Sequence, residues 1–223
     1  MGIERRVSVR LERLAHGLVS TLLPGGKPEL SAALESSAAA KEDEALKRVS
    51  EIASAKVSES EALDAHGLRV VVLVARDIEQ SLHEEKRAAA KDAFTTGSVP
   101  QIALEVFFAR LARYTNMWRG HAGGPESAGV RAAVIALIYL DRLRDSGYVV
   151  SWANVHRLAV AAFLVAIKYS EDSVISNTWW AKVGGVPLKE LCALESQLCD
   201  KLHFSFFVDA ELYSQTLQSH DNF

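Results

Sequence analysis

Only two cysteines and five prolines occur in the 223 residues, and no apolar run approaches the length of a membrane span. The cysteines, Cys192 and Cys199, fall on what reads as one helix, two turns or about 10 Å apart along its axis, too far to bridge each other. Two reduced thiols in a packed core are expected, and with them an intracellular compartment, cytoplasmic or nuclear. The longest apolar stretches, 132–140 and 158–167, are about half of what a bilayer demands, so no membrane partner is expected. A basic surplus is missing as well. The formal net charge is −3, which argues against nucleic acid as the primary partner.

Catalytic motifs are equally scarce. There is no Gly-rich phosphate loop, no nucleophile elbow and no His-Glu-x-x-His zinc pattern. His83, Glu84 and Glu85 read as a solvated helix face rather than a metal site, and Trp179 and Trp180 as packing wedges. The expectation is a non-enzyme with no metal, no cofactor and no small-molecule substrate. Strand alternation is also absent, so the fold class is all-α.

What is present is a series of helical patterns. Arg5, Arg6, Arg10 and Arg13 interleave with Ile3, Val7, Leu11, Leu14 and Leu18, a basic amphipathic helix. Glu4 and Glu12 count against a mitochondrial presequence, so the helix is expected to lie on the protein's own body. A Pro/Gly break at 24–28 ends it, and residues 29–66 are Ala-, Ser-, Glu- and Lys-rich, a solvated helix or a partly disordered stretch. Helical spacing of Leu68, Val71, Ala75, Ile78 and Leu82 predicts a helix over 68–90, against the β-like look of residues 70–74. Further helices are predicted over 98–117 with Ser98 as cap, 126–145, 151–169 with Ser151 as cap, around 177–182, from Pro187 to 202, and from about Asp209. The helices over 126–145 and 151–169 are apolar on every side, which marks the centre of a domain; the others wrap them.

Three charges break this pattern. Glu195 falls among Leu188, Leu191, Leu198, Cys199 and Leu202 at ~100° per residue. An unpaired carboxylate there would cost several kcal/mol, on the order of other desolvated ions, so Glu195 needs either an internal partner or a surface completed by another protein. Asp141 follows Val134, Leu137 and Ile138 on an inward face, with Arg110 and Arg113 as its natural partners. A buried Asp141–Arg110 pair would be architectural. Lys168 closes the apolar run 158–167, where a lysine complements the helix dipole by roughly 0.3–1 kcal/mol.

These residues together resemble a cyclin box. The likeness is carried by 108–114, 138–143, 151–157, 166–169, Asn177 with 180–186, and Leu194 and Glu195 with 202–204. Six such stretches in order are similar to the single-box P/U-type (phosphate-signalling) branch of the family. The resemblance covers 95–208, a five-helix box with two buried central helices. It leaves 1–94 as an N-terminal helical extension and 209–223 as a C-terminal helix or tail.

What the resemblance implies is a regulatory subunit that binds and activates a cyclin-dependent protein kinase by docking on its C-helix. Lys168 and Glu195 would hydrogen-bond the kinase backbone, and Tyr169, Cys199 and Phe204 would form the apolar part of the docking surface. A cyclin-fold adaptor that binds another protein without activating a kinase is the alternative. The 98–117 helix lacks the Met-Arg-Ala-Ile-Leu pattern that the family associates with substrate docking, so that property is not carried over.

Overall fold

The computed structural model describes residues 63–85, 91–119, 127–172 and 175–221; the basic amphipathic helix and the Ala/Ser-rich stretch expected before residue 63 lie outside them. The elements are α1 (Ala65–Glu84), α2 (Leu104–Arg119), α3 (Ala128–Asp145), α4 (Val155–Ser170), α5 (Asn177–Gly184), α6 (Leu188–Lys201) and α7 (Ala210–Asp221). No strand occurs among the described residues, and the fold is all-α.

Helices α3 and α4 form the centre. Every residue from 132 to 141 and from 158 to 167 is buried. Each large aliphatic or aromatic side chain taken fully out of water there contributes about 1.5–3 kcal/mol before entropy is counted. Phe108 of α2 meets Phe163 of α4 edge-on, with centroids 5.3 Å apart. The α2–α3 crossing is close: a Cβ on Gly129 would stand 2.2 Å from the Ala112 carbonyl oxygen. Asn116 Oδ1 accepts from the Gly129 N–H across the same contact, at 2.7 Å.

Helix α1, within the stretch set apart as an extension, is packed into this same core through Val70, Val71, Val74, Ala75, Ile78 and Leu82. Helix α7 lies against α1 and α3. There His220, buried at 3% exposure, places Nε2 3.2 Å from Asp77 Oδ2.

Two helix starts differ from the sequence expectation. Ser98 does not open α2, which begins six residues later at Leu104. The preceding chain has other partners for its backbone. Thr96 N–H donates to the Ala153 carbonyl at 2.8 Å, and Arg157 donates to the Ala93 and Thr95 carbonyls at 3.1 Å each. Ser151 does not cap α4 either. Asn154 holds the N-cap position without a side-chain cap bond; its Oδ1 accepts instead from the Ser151 N–H at 2.9 Å, folding 151–154 into a turn ahead of Val155.

Asp141 is buried as expected, at 4% exposure, but its partner is not the predicted Arg110. Arg144, three residues along the same helix, reaches it at 3.1 Å. An i,i+3 neighbour needs no second helix to bring it into range, whereas Arg110 stays half-buried on α2.

Candidate functional site

The site is assembled at the C-terminal end of α4. The short helix α5 is clamped there because Trp180, fully buried, donates its indole N–H to the Val160 carbonyl at 2.9 Å. Gly184 permits the close approach, since a Cβ in its place would stand 2.6 Å from Val160 Cγ1. Trp180 is thus the packing wedge expected; Trp179 beside it is half-buried and meets Tyr114 edge-on at 6.0 Å. Gly185 takes the left-handed conformation (φ 67°) that ends α5. Pro187 then leads into α6, which buries Leu191, Leu194 and Leu198.

This arrangement brings Glu195 of α6 under the tip of α4. Lys168 Nζ lies 2.6 Å from Glu195 Oε1 and donates to Asn177 Oδ1 at 2.6 Å. Asn177 Nδ2 donates to Glu195 Oε2 at 2.7 Å. Of the two outcomes open to Glu195, the fold supplies an internal one: Lys168 and Asn177 are its partners. It also sits at the edge of the buried stripe rather than in the middle, because Leu188 is 43% exposed. The ion pair itself remains open to solvent, with side-chain exposures of 31% for Lys168 and 20% for Glu195.

Next to the pair stands an aromatic cluster. Tyr169 follows Lys168 and is 50% exposed; its ring lies 5.9 Å from that of Phe206, which is also 5.9 Å from Phe204. Phe204 and Phe207 project furthest, at 66% and 68% exposure. The chain reaches this geometry through two successive left-handed residues, His203 (φ 50°) and Phe204 (φ 55°). Without glycine, that costs roughly 1–2 kcal/mol per residue.

The strap 203–208 is held in place by α3. Arg142 donates to the Ser205 carbonyl at 2.6 Å and to the Phe207 carbonyl at 2.7 Å, and the Tyr139 hydroxyl donates to the Phe206 carbonyl at 3.0 Å. Three successive carbonyls are thus fastened, and Phe204 and Phe207 are presented outward. Burial pushes the Tyr139 phenol up, so it stays a neutral donor.

Cys199 is half-buried beneath this cluster. Burial, and then the Glu195 charge, raises its thiol, which keeps it protonated and unreactive. Cys192 is exposed and lies 3.5 Å from Asn177 Nδ2. Neither thiol is in the packed core that the sequence suggested, because α6 buries only its leucine stripe.

All five residues that the resemblance implicates, Lys168, Tyr169, Glu195, Cys199 and Phe204, therefore meet at one end of the molecule. Three neighbours were not legible as functional in the sequence. Asn177 and Arg142 entered only as parts of the stretches that carry the resemblance, and Phe207 was not singled out. Elsewhere, His83 is exposed and its ring packs edge-on against Trp152. Among the described residues no group of three or more His, Cys, Asp or Glu could hold a metal ion. No described helix is long and apolar enough to cross a membrane.

The model of a protein family described as Cyclin matches residues 29–206, most of the chain. The chain belongs to the cyclin family. The match begins well upstream of the stretch in which the resemblance was readable, and α1 shows why, since that helix completes the core. The chain is 34% identical over 156 residues to Cyclin-P2-1 of Oryza sativa subsp. japonica, covering 65% of this chain and 66% of that one. It is 30% identical over 122 residues to Cyclin-U2-1 of Arabidopsis thaliana, covering 54% of this chain and 50% of that one. Its similarity to the PHO85 cyclin-like protein psl1 of Schizosaccharomyces pombe is 31% over 121 residues, covering 53% and 45%. This cyclin thus spans about half to two thirds of the length of these relatives, and it resembles the P/U-type members in particular.

Proposed function

We propose that this cyclin is the regulatory subunit of a cyclin-dependent protein kinase, docking through the α4–α6 end and the 203–208 strap onto the kinase's C-helix. The observation that carries the reading is an accessible Lys168–Glu195 pair set beside the exposed rings of Tyr169, Phe204 and Phe207. A polar centre rimmed by aromatics suits a partner that offers backbone groups and an apolar helix face together. Glu195 has lone pairs left for partner N–H groups and Lys168 has a further N–H for a partner carbonyl. Such charge-assisted bonds are stronger than neutral ones. Each exposed ring covered by the partner would add on the order of 1–2 kcal/mol.

The consequence for the kinase follows from population shift. A cyclin that binds only the inward C-helix arrangement favours that arrangement by its differential affinity. In that arrangement the C-helix glutamate pairs with the phosphate-binding lysine that transfer requires. The name of the relative from Schizosaccharomyces pombe, a PHO85 cyclin-like protein, supports a kinase partner.

The test is to purify the tagged full chain from its source cell and identify the bound kinase by mass spectrometry. That kinase is then assayed for phosphate transfer to a test peptide with and without added cyclin. Stimulation by the wild-type chain, lost with Glu195→Ala, is the expected result. A kinase that binds but is not stimulated would instead make the chain an adaptor, and recovery of no kinase would remove the proposal.

A further inference from the structure

The Lys168–Glu195 pair is closed into a ring by a third side chain, and the chemistry of that ring fixes how it is oriented. Lysine ammonium can only donate and a carboxylate can only accept. The Asn177 amide is the one group of the three that does both. Its carbonyl oxygen faces Lys168 at 2.6 Å and its NH2 faces Glu195 at 2.7 Å; the flipped amide would set donor against donor and acceptor against acceptor. Asn177 also stands on the best-anchored part of the site. It is the first residue of α5, the helix pinned to α4 through Trp180 and Val160.

We infer that Asn177 is the positioning residue of the docking face, locking Lys168 and Glu195 into a single geometry before any partner arrives. Lysine and glutamate have long, rotamer-rich side chains, and an exposed ion pair alone does not hold them still. With Asn177 in place, two Lys168 N–H bonds and one lone pair on each Glu195 oxygen are directed inward. What faces outward is then a fixed pattern, one donor beside carboxylate acceptors. The ordering cost that binding would otherwise impose on both side chains is met by the free subunit.

This inference rests on the kinase-docking reading, so its test has one arm that needs no kinase. In the free, full-length, 15N-lysine-labelled chain, Lys168 is expected to give a slowly exchanging ammonium signal, assigned by its loss in Lys168→Met. Asn177→Ala should abolish that signal while leaving the melting temperature within about 2 °C of wild type. Asn177→Leu, similar in volume but without donor or acceptor, serves if the alanine variant folds poorly. In the second arm, Asn177→Ala should weaken binding of the kinase recovered with the wild-type chain about tenfold, the loss expected when two long side chains must be ordered on contact. Persistence of the ammonium signal in both Asn177 variants would overturn the inference, as would kinase binding by Asn177→Ala equal to that of wild type. Failure of the wild-type chain to bind any kinase would overturn the docking reading, while the ammonium signal would still decide whether Asn177 locks the pair.

Discussion

Residue by residue, the end proposed for docking is built from groups that contribute little to holding the fold together. The Lys168–Glu195 pair is partly solvated, and pairs of this kind are worth about 0–1 kcal/mol of stability. Glu195→Ala and Lys168→Ala are therefore expected to lose kinase capture while shifting the melting temperature by no more than about 2–4 °C; equal capture by wild type and both variants would show that these are not the anchors. The buried charge behaves in the opposite way. Arg144 and Asp141 have side-chain exposures of 11% and 5%, and breaking a buried pair from one side typically costs ~3–5 kcal/mol. Thermal denaturation should therefore show a larger loss for Arg144→Ala than for Arg110→Ala. The reverse order would restore the inter-helix pair that the sequence suggested.

Among the elements, the strap 203–208 is unusual in carrying exposed aromatics on a backbone fastened at three successive carbonyls. Its left-handed entry at His203 and Phe204 is unfavourable by itself, and the Arg142 and Tyr139 hydrogen bonds are what compensate. Arg142→Ala removes two of the three bonds, each to a charged donor and worth roughly 1.5–3 kcal/mol at most, less where solvent reaches them. The expected outcome is faster amide hydrogen exchange confined to 203–208 and weaker kinase binding, with the secondary structure retained by circular dichroism. An unchanged exchange pattern would mean that the strap is held by its ring contacts alone. Helix α5 offers the complementary lesson. Its eight residues are too few to be stable in isolation, and it is the burial of Trp180 that makes it a platform for Asn177.

At the scale of the molecule, one buried group, His156, and one half-buried group, Asp92, make the fold sensitive to acid. His156 is buried; its Nε2 faces the Ile102 carbonyl at 3.2 Å, while its Nδ1 has no partner. Burial lowers its pKa below the ordinary 6.5, against the opposing effect of the Ile102 contact. The unfolded chain then takes up a proton more readily than the folded one. This contribution is complete above pH 6.5 and is lost as pH falls through the folded value. Asp92 acts in the same direction at lower pH. Burial raises its pKa, but bonds from Tyr148, Lys201 and the Phe94 N–H outweigh that and bring it below 3.8. Its contribution is present above pH 3.8 and disappears as pH drops through the depressed value. Denaturant midpoints measured from pH 7.5 downward should fall in two steps, and His156→Gln should remove the upper one. A midpoint independent of pH down to 5 would contradict the assignment of the upper step to His156.

The helical class and the two central helices were legible in the chain itself, because apolar periodicity and runs such as 158–167 report burial directly; the five residues proposed for docking came from the resemblance to the cyclin box. Side chains that depend on a neighbour distant in sequence were not. Which partner would answer Glu195 was left open, because no one-dimensional pattern reveals that the tip of α4 and the start of α5 converge on it. Asp141 was assigned to the wrong arginine because a face predicts burial but not which donor reaches it. Ser98 and Ser151 looked like caps because local propensity ignores Arg157 and Asn154, which hold the chain ahead of each helix in other hydrogen bonds. Periodicity determined what this cyclin buries. Only the packing of α4, α5 and α6 decided what it leaves outside, since hydrogen bonds between distant residues form by proximity that the order of the chain does not encode.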